Sequence, residues 1–311
     1  MVEFAGFAGV PDALVRAQLR HNGAAGREFV DALPARAALF LERWELRVTG
    51  PGMHGATALV LPVARADGSP AALKLQALDE ESAGEALALR AWAGEGSVRL
   101  LADDAATGTL LLERLDEGRH LSEVAGADSR RAVVVIGELL ARLTAVPAPH
   151  GLRRLGDIAA RMLEAVPEAL AEVADGRARR LVADCAAAVA EVAGERPAGE
   201  VGAGGERLLH WDLHYDNVLA GGREPWLAID PKPLAGDPGF ELLPALVDNF
   251  RAREVRWRFD LLAEAVGADR ERARAWTLGR VLQNCLWDVE DGEQPAEVQL
   301  EVAELLLGGR S

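Results

Sequence analysis

The chain has 311 residues, half of them hydrophobic, enough to bury a substantial core and a better fit to two lobes than to one compact unit. Its formal net charge of −15 opposes binding to nucleic acid or to an anionic membrane surface, and suits a small cationic partner. The start Met1-Val2-Glu3-Phe4 lacks a signal-peptide pattern and no apolar run reaches membrane-spanning length, so a cytoplasmic protein with no membrane partner is expected.

Pro11 to His21 and Pro34 to Arg43 read as amphipathic helices ahead of a small sheet. Trp44–Val48, Ala58–Val63 and Ala71–Leu75 then form an antiparallel meander, with a glycine-rich turn over Gly50–Gly55 and a second turn at Asp67-Gly68. Glycines in the first turn would let backbone N–H groups approach phosphates, although an ordinary turn has the same composition. Lys74 stands alone inside an apolar strand, where its ammonium costs desolvation free energy unless an anion meets it. Asp79 to Trp92 reads as a helix with Glu81 and Glu85 one turn apart. Glu85 is the preferred partner of Lys74, and Glu81 reads better as a solvated charge. Val98–Leu101 and Thr109–Leu115 complete a five-stranded sheet. If the last strand runs into a nucleotide-binding connector at Asp116-Glu117-Gly118, the Glu113 carbonyl and the Leu115 amide face adenine; an ordinary edge strand is the alternative.

The remainder is mainly helical: Ser129–Val146, Leu155–Val173, Gly176–Val192, Pro238–Phe250, Glu254–Val266, Arg270–Glu290 and Pro295–Leu307. The stretch 194–205 reads as an exposed loop. Cys185 and Cys285 fall in helical segments without metal-ligand spacing and are expected as buried thiols. The fold class is therefore α+β and bilobal, with a small antiparallel-sheet lobe over residues 1–115 and a larger helical lobe over residues 116–311.

Between the helical blocks lies His210-Trp211-Asp212-Leu213-His214-Tyr215-Asp216-Asn217. Two short strands follow, Val218–Ala220 and Trp226–Ile229, and the second ends at Asp230. Phosphoryl transfer requires a site to position a hydroxyl and to neutralise triphosphate charge with Mg²⁺. Asp212 and an amide five residues later have the spacing of a catalytic base and a metal ligand on one loop, and Asp230 offers a second oxygen ligand. ATP and Mg²⁺ are the expected cofactors. The alternative is an Asp-rich loop whose side chains cap local turns. His210 and His214 read as groups that shape the loop, and Asp237 as a cap for the helix after it. Asn284, Trp287, Asp288 and Asp291 share one helical face, where acids beside an aromatic suit a guanidinium or ammonium group. A solvated helix end with Trp287 in the core is the competing reading.

Several segments together carry a resemblance to a family: Arg43–Arg47, Leu73-Lys74-Leu75-Gln76, Leu111–Leu115, His210–Leu219, Arg223–Pro231, Gly236–Phe240 and Gln283-Asn284 through Gly292. The chain resembles the aminoglycoside phosphotransferases, and among them the streptomycin 6-kinase and aminoglycoside/hydroxyurea resistance kinases. The resemblance implies a protein-kinase-like fold, Asp212 as catalytic base, Asn217 and Asp230 on magnesium, and Lys74 on the phosphates. It implies a small cationic acceptor, with a hydroxyl of streptomycin or a related aminoglycoside as first choice. Alternatives are another small acceptor, such as an amino sugar or a hydroxyurea-like compound, and a nucleotide-binding pseudokinase that acts as a regulator. One departure stands out: many antibiotic kinases have glycine where this chain has Trp211, whose ring either shapes the acceptor pocket or packs in the larger lobe.

Overall fold

The computed structural model describes residues 9–55, 57–194 and 206–308. The chain divides into two compact units, Met1–Asp116 and Glu117–Ser311.

The first unit opens with α1 (Asp12–Arg43), broken at Gly23, whose φ of 50° and ψ of −119° leave helical space. Only this break separates two helical segments, so residues 24–33, which lie between the two expected helices, are helical as well. Pro34 cannot donate a helical hydrogen bond. Val30, Leu33, Ala37 and Phe40, spaced three and four apart, bury one stripe that holds the helix through it. The sheet follows: β1 (Arg47–Val48), β2 (Met53–His54), β3 (Ala58–Ala64) and β4 (Pro70–Gln76), then α2 (Glu85–Trp92), β5 (Leu100–Asp104) and β6 (Thr109–Glu113). Its order is β1-β3-β4-β6-β5, all antiparallel, and β2 adds to β3. The sheet thus has six strands rather than the expected five, because the glycine-rich turn contains its own short strand. The β3–β4 hairpin closes on Gly68, whose φ of 83° suits glycine, while Asp67 Oδ1 accepts the Ser69 N–H at 2.9 Å. Leu59, Leu61, Val63, Leu73, Leu75 and Leu111 form a core with Leu33, Ala37 and Phe40. Helix α2 starts six residues later than the pattern suggests. Asp79 Oδ1 accepts the N–H groups of Glu81 and Ser82, and so holds a turn there instead.

The second unit contains β7 (Asp116–His120), which starts at the division, then α3 (Leu121–Ala127), α4 (Ser129–Leu143), β8 (Arg153–Arg154), α5 (Leu155–Glu172) and α6 (Gly176–Ala193). The polar connector expected at Asp116-Glu117-Gly118 is therefore strand. After residues 195–205, where the expected loop lies outside the described residues, come β9 (Arg207–Leu209), β10 (Val218–Ala220), β11 (Leu227–Ala228) and β12 (Leu234–Gly236). The remaining helices are α7 (Leu243–Val247), α8 (Val255–Ala265), α9 (Arg270–Glu290) and α10 (Glu297–Leu307). Two three-stranded sheets, β11-β10-β7 and β8-β12-β9, frame the loop between β9 and β10. Helices α5, α6 and α9 bury apolar faces that include Ile158, Met162, Val182, Val189, Leu278 and Leu282, and Cys185 and Cys285 are buried among them. No described helix is long and apolar enough to cross a membrane.

Candidate active site

In the first unit, Lys74 on β4 is 4% exposed and Glu85, the first residue of α2, is 1% exposed. Lys74 Nζ donates to Glu85 Oε1 at 2.8 Å and to Oε2 at 2.7 Å. Gln76 Nε2 also donates to Glu85 Oε2, at 2.7 Å. A buried carboxylate needs such a full set of donors, because an unpaired charge in the interior is far costlier than a paired one. Glu81 stays in the turn ahead of α2. No local motif marks Gln76, although a strand residue two places from Lys74 shares its face. Glu113 ends β6 opposite Ala71, its Oε1 accepts the Arg99 N–H at 2.7 Å, and Leu115 is buried just beyond it.

In the second unit the loop after β9 is built on backbone hydrogen bonds. His210 is fully buried; its Nε2 lies 3.0 Å from the Ile229 carbonyl and its Nδ1 accepts the Asp212 N–H at 3.3 Å. Those two partners assign the proton to Nε2. Burial pulls its pKa down to about 4, against favourable charge from Asp212, so the ring is a neutral brace near pH 7. The Asp212 carbonyl accepts from the His214 N–H at 3.0 Å and from Asn217 Nδ2 at 2.9 Å. The Tyr215 N–H donates to Asp248 Oδ2 at 2.7 Å. Asn217 closes the turn Tyr215–Asn217, and the β10–β11 hairpin pairs Val218 with Ala228. The Ile229 N–H donates to the Asn217 carbonyl at 2.9 Å, which brings the backbone next to Asp230 up to Asn217. Asp230 has a φ of 57°.

Asn217 and Asp230 present oxygens of the kind that Mg²⁺ prefers. Asn217 uses Nδ2 on the loop, which leaves its Oδ1 for a cation, and Asp230 is adjacent across the hairpin. No cluster of three or more His, Cys, Asp or Glu suited to a metal occurs among the described residues. An amide and a carboxylate fit Mg²⁺ of the kind that phosphates complete, not an all-protein cage.

Trp211 has a φ of 67°, in the left-handed region that glycine occupies without strain. Two features hold it there. Its N–H donates to Glu241 Oε1 at 2.9 Å, and its ring lies under the guanidinium groups of Arg153 at 4.5 Å and Arg280 at 5.0 Å. Glu241 is 1% exposed, and burial pushes its pKa up to about 7 despite backbone donation from Trp211 and His210 and the nearby Arg280. The turn that carries it is fixed to α9: Asp237 Oδ1 accepts the Gly239 N–H at 2.9 Å, and Arg272 Nε donates to Asp237 Oδ2 at 2.6 Å. Gly239 permits that approach, since a Cβ there would lie 2.7 Å from Ala273 Cα.

Trp287 is 39% exposed, and its ring is 6.0 Å from that of Trp211 and 5.3 Å from the Arg280 guanidinium. Asp288 Oδ2 accepts the Ala296 N–H at 2.9 Å, and Asp291 is the residue at which α9 ends. Arg280 therefore sits among the aromatic rings that the sequence offers to a ligand cation.

The sequence profile of the aminoglycoside/hydroxyurea antibiotic resistance kinases matches residues 43–292. The chain belongs to this family. It is 68% identical over 300 residues to a hydroxyurea phosphotransferase of Kitasatospora aureofaciens, covering 96% of this chain and 86% of the relative. It is 52% identical over 305 residues to a streptomycin 6-kinase of Streptomyces glaucescens, covering 94% and 96%. Among solved structures, a choline/ethanolamine kinase family protein from Mesorhizobium loti superposes with a TM-score of 0.61 at 19% identity, covering 88% of this chain and 92% of that one. The α+β, protein-kinase-like fold follows, and the chain is an antibiotic-resistance phosphotransferase. In this kinase, Gln76, Glu241, Arg153, Arg280 and Lys232, whose Nζ lies 3.5 Å from Asp212 Oδ2, are site neighbours that local motifs did not mark.

Proposed function

We propose that this kinase transfers the γ-phosphoryl group of ATP to the hydroxyl of a small acceptor, with the N-hydroxyl of hydroxyurea as first candidate. The observation that carries the reading is the loop geometry: the His214 N–H and the Asn217 side-chain amide both donate to the Asp212 carbonyl and leave the Asp212 carboxylate partly exposed. Asp212 orients the acceptor hydroxyl and takes its proton. Asn217 and Asp230 hold Mg²⁺, which when bound neutralises phosphate charge. Lys74, set by Glu85 and Gln76, meets the phosphates, and Glu113 and Leu115 supply backbone groups to adenine.

Two observations support hydroxyurea. The hydroxyurea phosphotransferase shares 68% of its aligned residues with this chain, against 52% for the streptomycin 6-kinase of S. glaucescens. The rings of Trp211 and Trp287 also already face the protein's own arginine, which disfavours a second guanidinium there. Streptomycin is the second reading, supported by the 6-kinase relatives and by the half-exposed Trp287 beside Asp288 and Asp291.

Coupled ADP release measured with hydroxyurea, streptomycin, kanamycin, glucosamine and no acceptor tests both. Higher kcat/KM for hydroxyurea than for streptomycin is expected; the reverse order would replace the first candidate with the second. No stimulation by any acceptor would sink the small-acceptor assignment.

A further inference from the structure

Of the 34 basic residues, 32 are arginine; the two lysines are Lys74 and Lys232. Where a surface charge or ordinary ion pair is made, this chain uses arginine. The two groups differ physically: lysine carries a compact point charge on a flexible stem, whereas guanidinium is a planar fork suited to bidentate partners. One lysine is the buried partner of Glu85. The other lies two residues beyond Asp230, with its Nζ 3.5 Å from Asp212 Oδ2.

The main chain of Lys232 is tied to the same loop, since its N–H donates to the His210 carbonyl at 3.0 Å. Its side chain is 36% exposed and that of Asp212 is 25% exposed, so both are open to a ligand. An ion pair this open and this long adds little to folding stability. The loop shape is already set by His210, His214 and Asn217. The ammonium thus stands beside the Asp212 carboxylate where both groups are open to a ligand.

We propose that Lys232 is a catalytic residue whose ammonium meets the peripheral oxygens of the transferring phosphoryl group beside Asp212; this rests on the phosphotransfer reading above. In the step, the acceptor oxygen forms a bond to the γ-phosphorus. The bond from that phosphorus to the β,γ-bridging oxygen breaks, and its electron pair leaves with ADP. The acceptor proton passes to the Asp212 carboxylate. Lys232 keeps its proton throughout and supplies only positive charge. Charge fixed where negative charge spreads in the transition state lowers the barrier more than it strengthens nucleotide binding.

Calorimetric binding of Mg·ADP with and without aluminium fluoride, a mimic of the transferring phosphoryl group, tests this in the wild type, K232M and K232R, with thermal unfolding as the folding control. Mg·ADP alone should bind all three proteins within about twofold, because the lysine acts on the transferring group. The tightening that aluminium fluoride gives the wild type should fall by about 10²-fold in K232M and recover in part in K232R. With an accepted substrate, kcat of K232M should drop by about 10²-fold while KM for ATP stays within about threefold. A K232M protein that keeps both the aluminium fluoride tightening and kcat overturns the proposal, as does a wild type that shows no such tightening. A lysine-dependent aluminium fluoride complex in a protein that phosphorylates no acceptor would retain the proposal and sink the acceptor assignment.

Discussion

Glu241 Oε1 accepts the N–H of Trp211 at 2.9 Å, so a buried carboxyl group carries the residue immediately ahead of Asp212. Burial raises its pKa from 4.5 to about 7. The native state therefore binds a proton more tightly than the unfolded chain, and this contribution to stability, complete below pH 4.5, is lost as pH rises through 7. Glu241→Gln keeps an oxygen acceptor but cannot ionise. Urea unfolding at a series of pH values should show the variant gaining on the wild type between pH 4.5 and 7, by up to about 3 kcal/mol. A pH-independent difference would mean that Glu241 ionises normally. His210 tilts the other way, since its lowered pKa of about 4 gives stability that is present above 6.5 and lost as pH falls through 4. In the wild type the two slopes oppose each other over the shared window, which is why the variant is needed to expose either.

Trp211 poses a test of backbone against side chain. Truncating a buried tryptophan costs about 3–5 kcal/mol, and its ring here is almost fully buried, with the guanidinium groups of Arg153 and Arg280 close to it. The left-handed φ of 67° adds a penalty of about 1–2 kcal/mol for any residue but glycine. Trp211→Gly should therefore be destabilised, yet more stable than Trp211→Ala by about 1 kcal/mol, the reverse of the order in a helix or strand. Thermal unfolding of the pair decides, and an alanine variant equal to glycine would show that the loop relaxes out of this conformation.

Much of this was legible in the sequence, and the exceptions have physical causes. Helix α9 runs over Arg270–Glu290, as its apolar period suggests, and the β3–β4 hairpin falls where Asp67-Gly68 marks a turn. Lys74 could be paired with Glu85 because a lone cation in an apolar strand demands an anion. Pro34 resembles a helix start in the sequence, whereas the buried side chains of Val30 and Leu33 carry the N-terminal helix through it. Glu241 could not be read at all: thirty positions separate it from Trp211, and only the packing of the 3-10 turn on α9 joins them. Trp211 left a trace, since a position where many antibiotic kinases place glycine is one where positive φ is to be suspected. The acids after Trp287 suit either a ligand cation or a solvated helix end by their spacing, but a capping bond to Ala296 uses one oxygen of Asp288, a use that periodicity does not reveal.

The Lys74–Glu85 pair separates stability from activity. Lys74→Met leaves the Glu85 carboxylate buried with Gln76 but without its cation, which should cost about 3–5 kcal/mol. Adding Glu85→Leu removes the stranded charge, so the double variant should recover most of that loss while remaining inactive. Denaturant midpoints and turnover for both single variants and the double complete the cycle. A double variant as unstable as Lys74→Met would show that the pair is not the source of the cost.

Asp212 and Asp230 should fail differently when truncated, because the loop depends on the Asp212 backbone and not on its carboxylate. His214 and Asn217 both donate to the Asp212 carbonyl, so Asp212→Ala keeps those bonds. Its turnover should fall by about 10²–10⁴-fold, the usual contribution of a positioned base, with Mg·ATP affinity near that of the wild type. Asp230→Ala removes an oxygen proposed to hold magnesium, so affinity for Mg·ATP should fall together with turnover, while metal-free ATP binds as before. Asn217→Ala combines both defects, since it loses the amide oxygen and the bond to the Asp212 carbonyl. Calorimetry with ATP in the presence and absence of magnesium distinguishes the three. If Asp212→Ala lost magnesium-dependent affinity as fully as Asp230→Ala, the Asp212 carboxylate would belong with the metal ligands, and the base would have to be sought elsewhere on the loop.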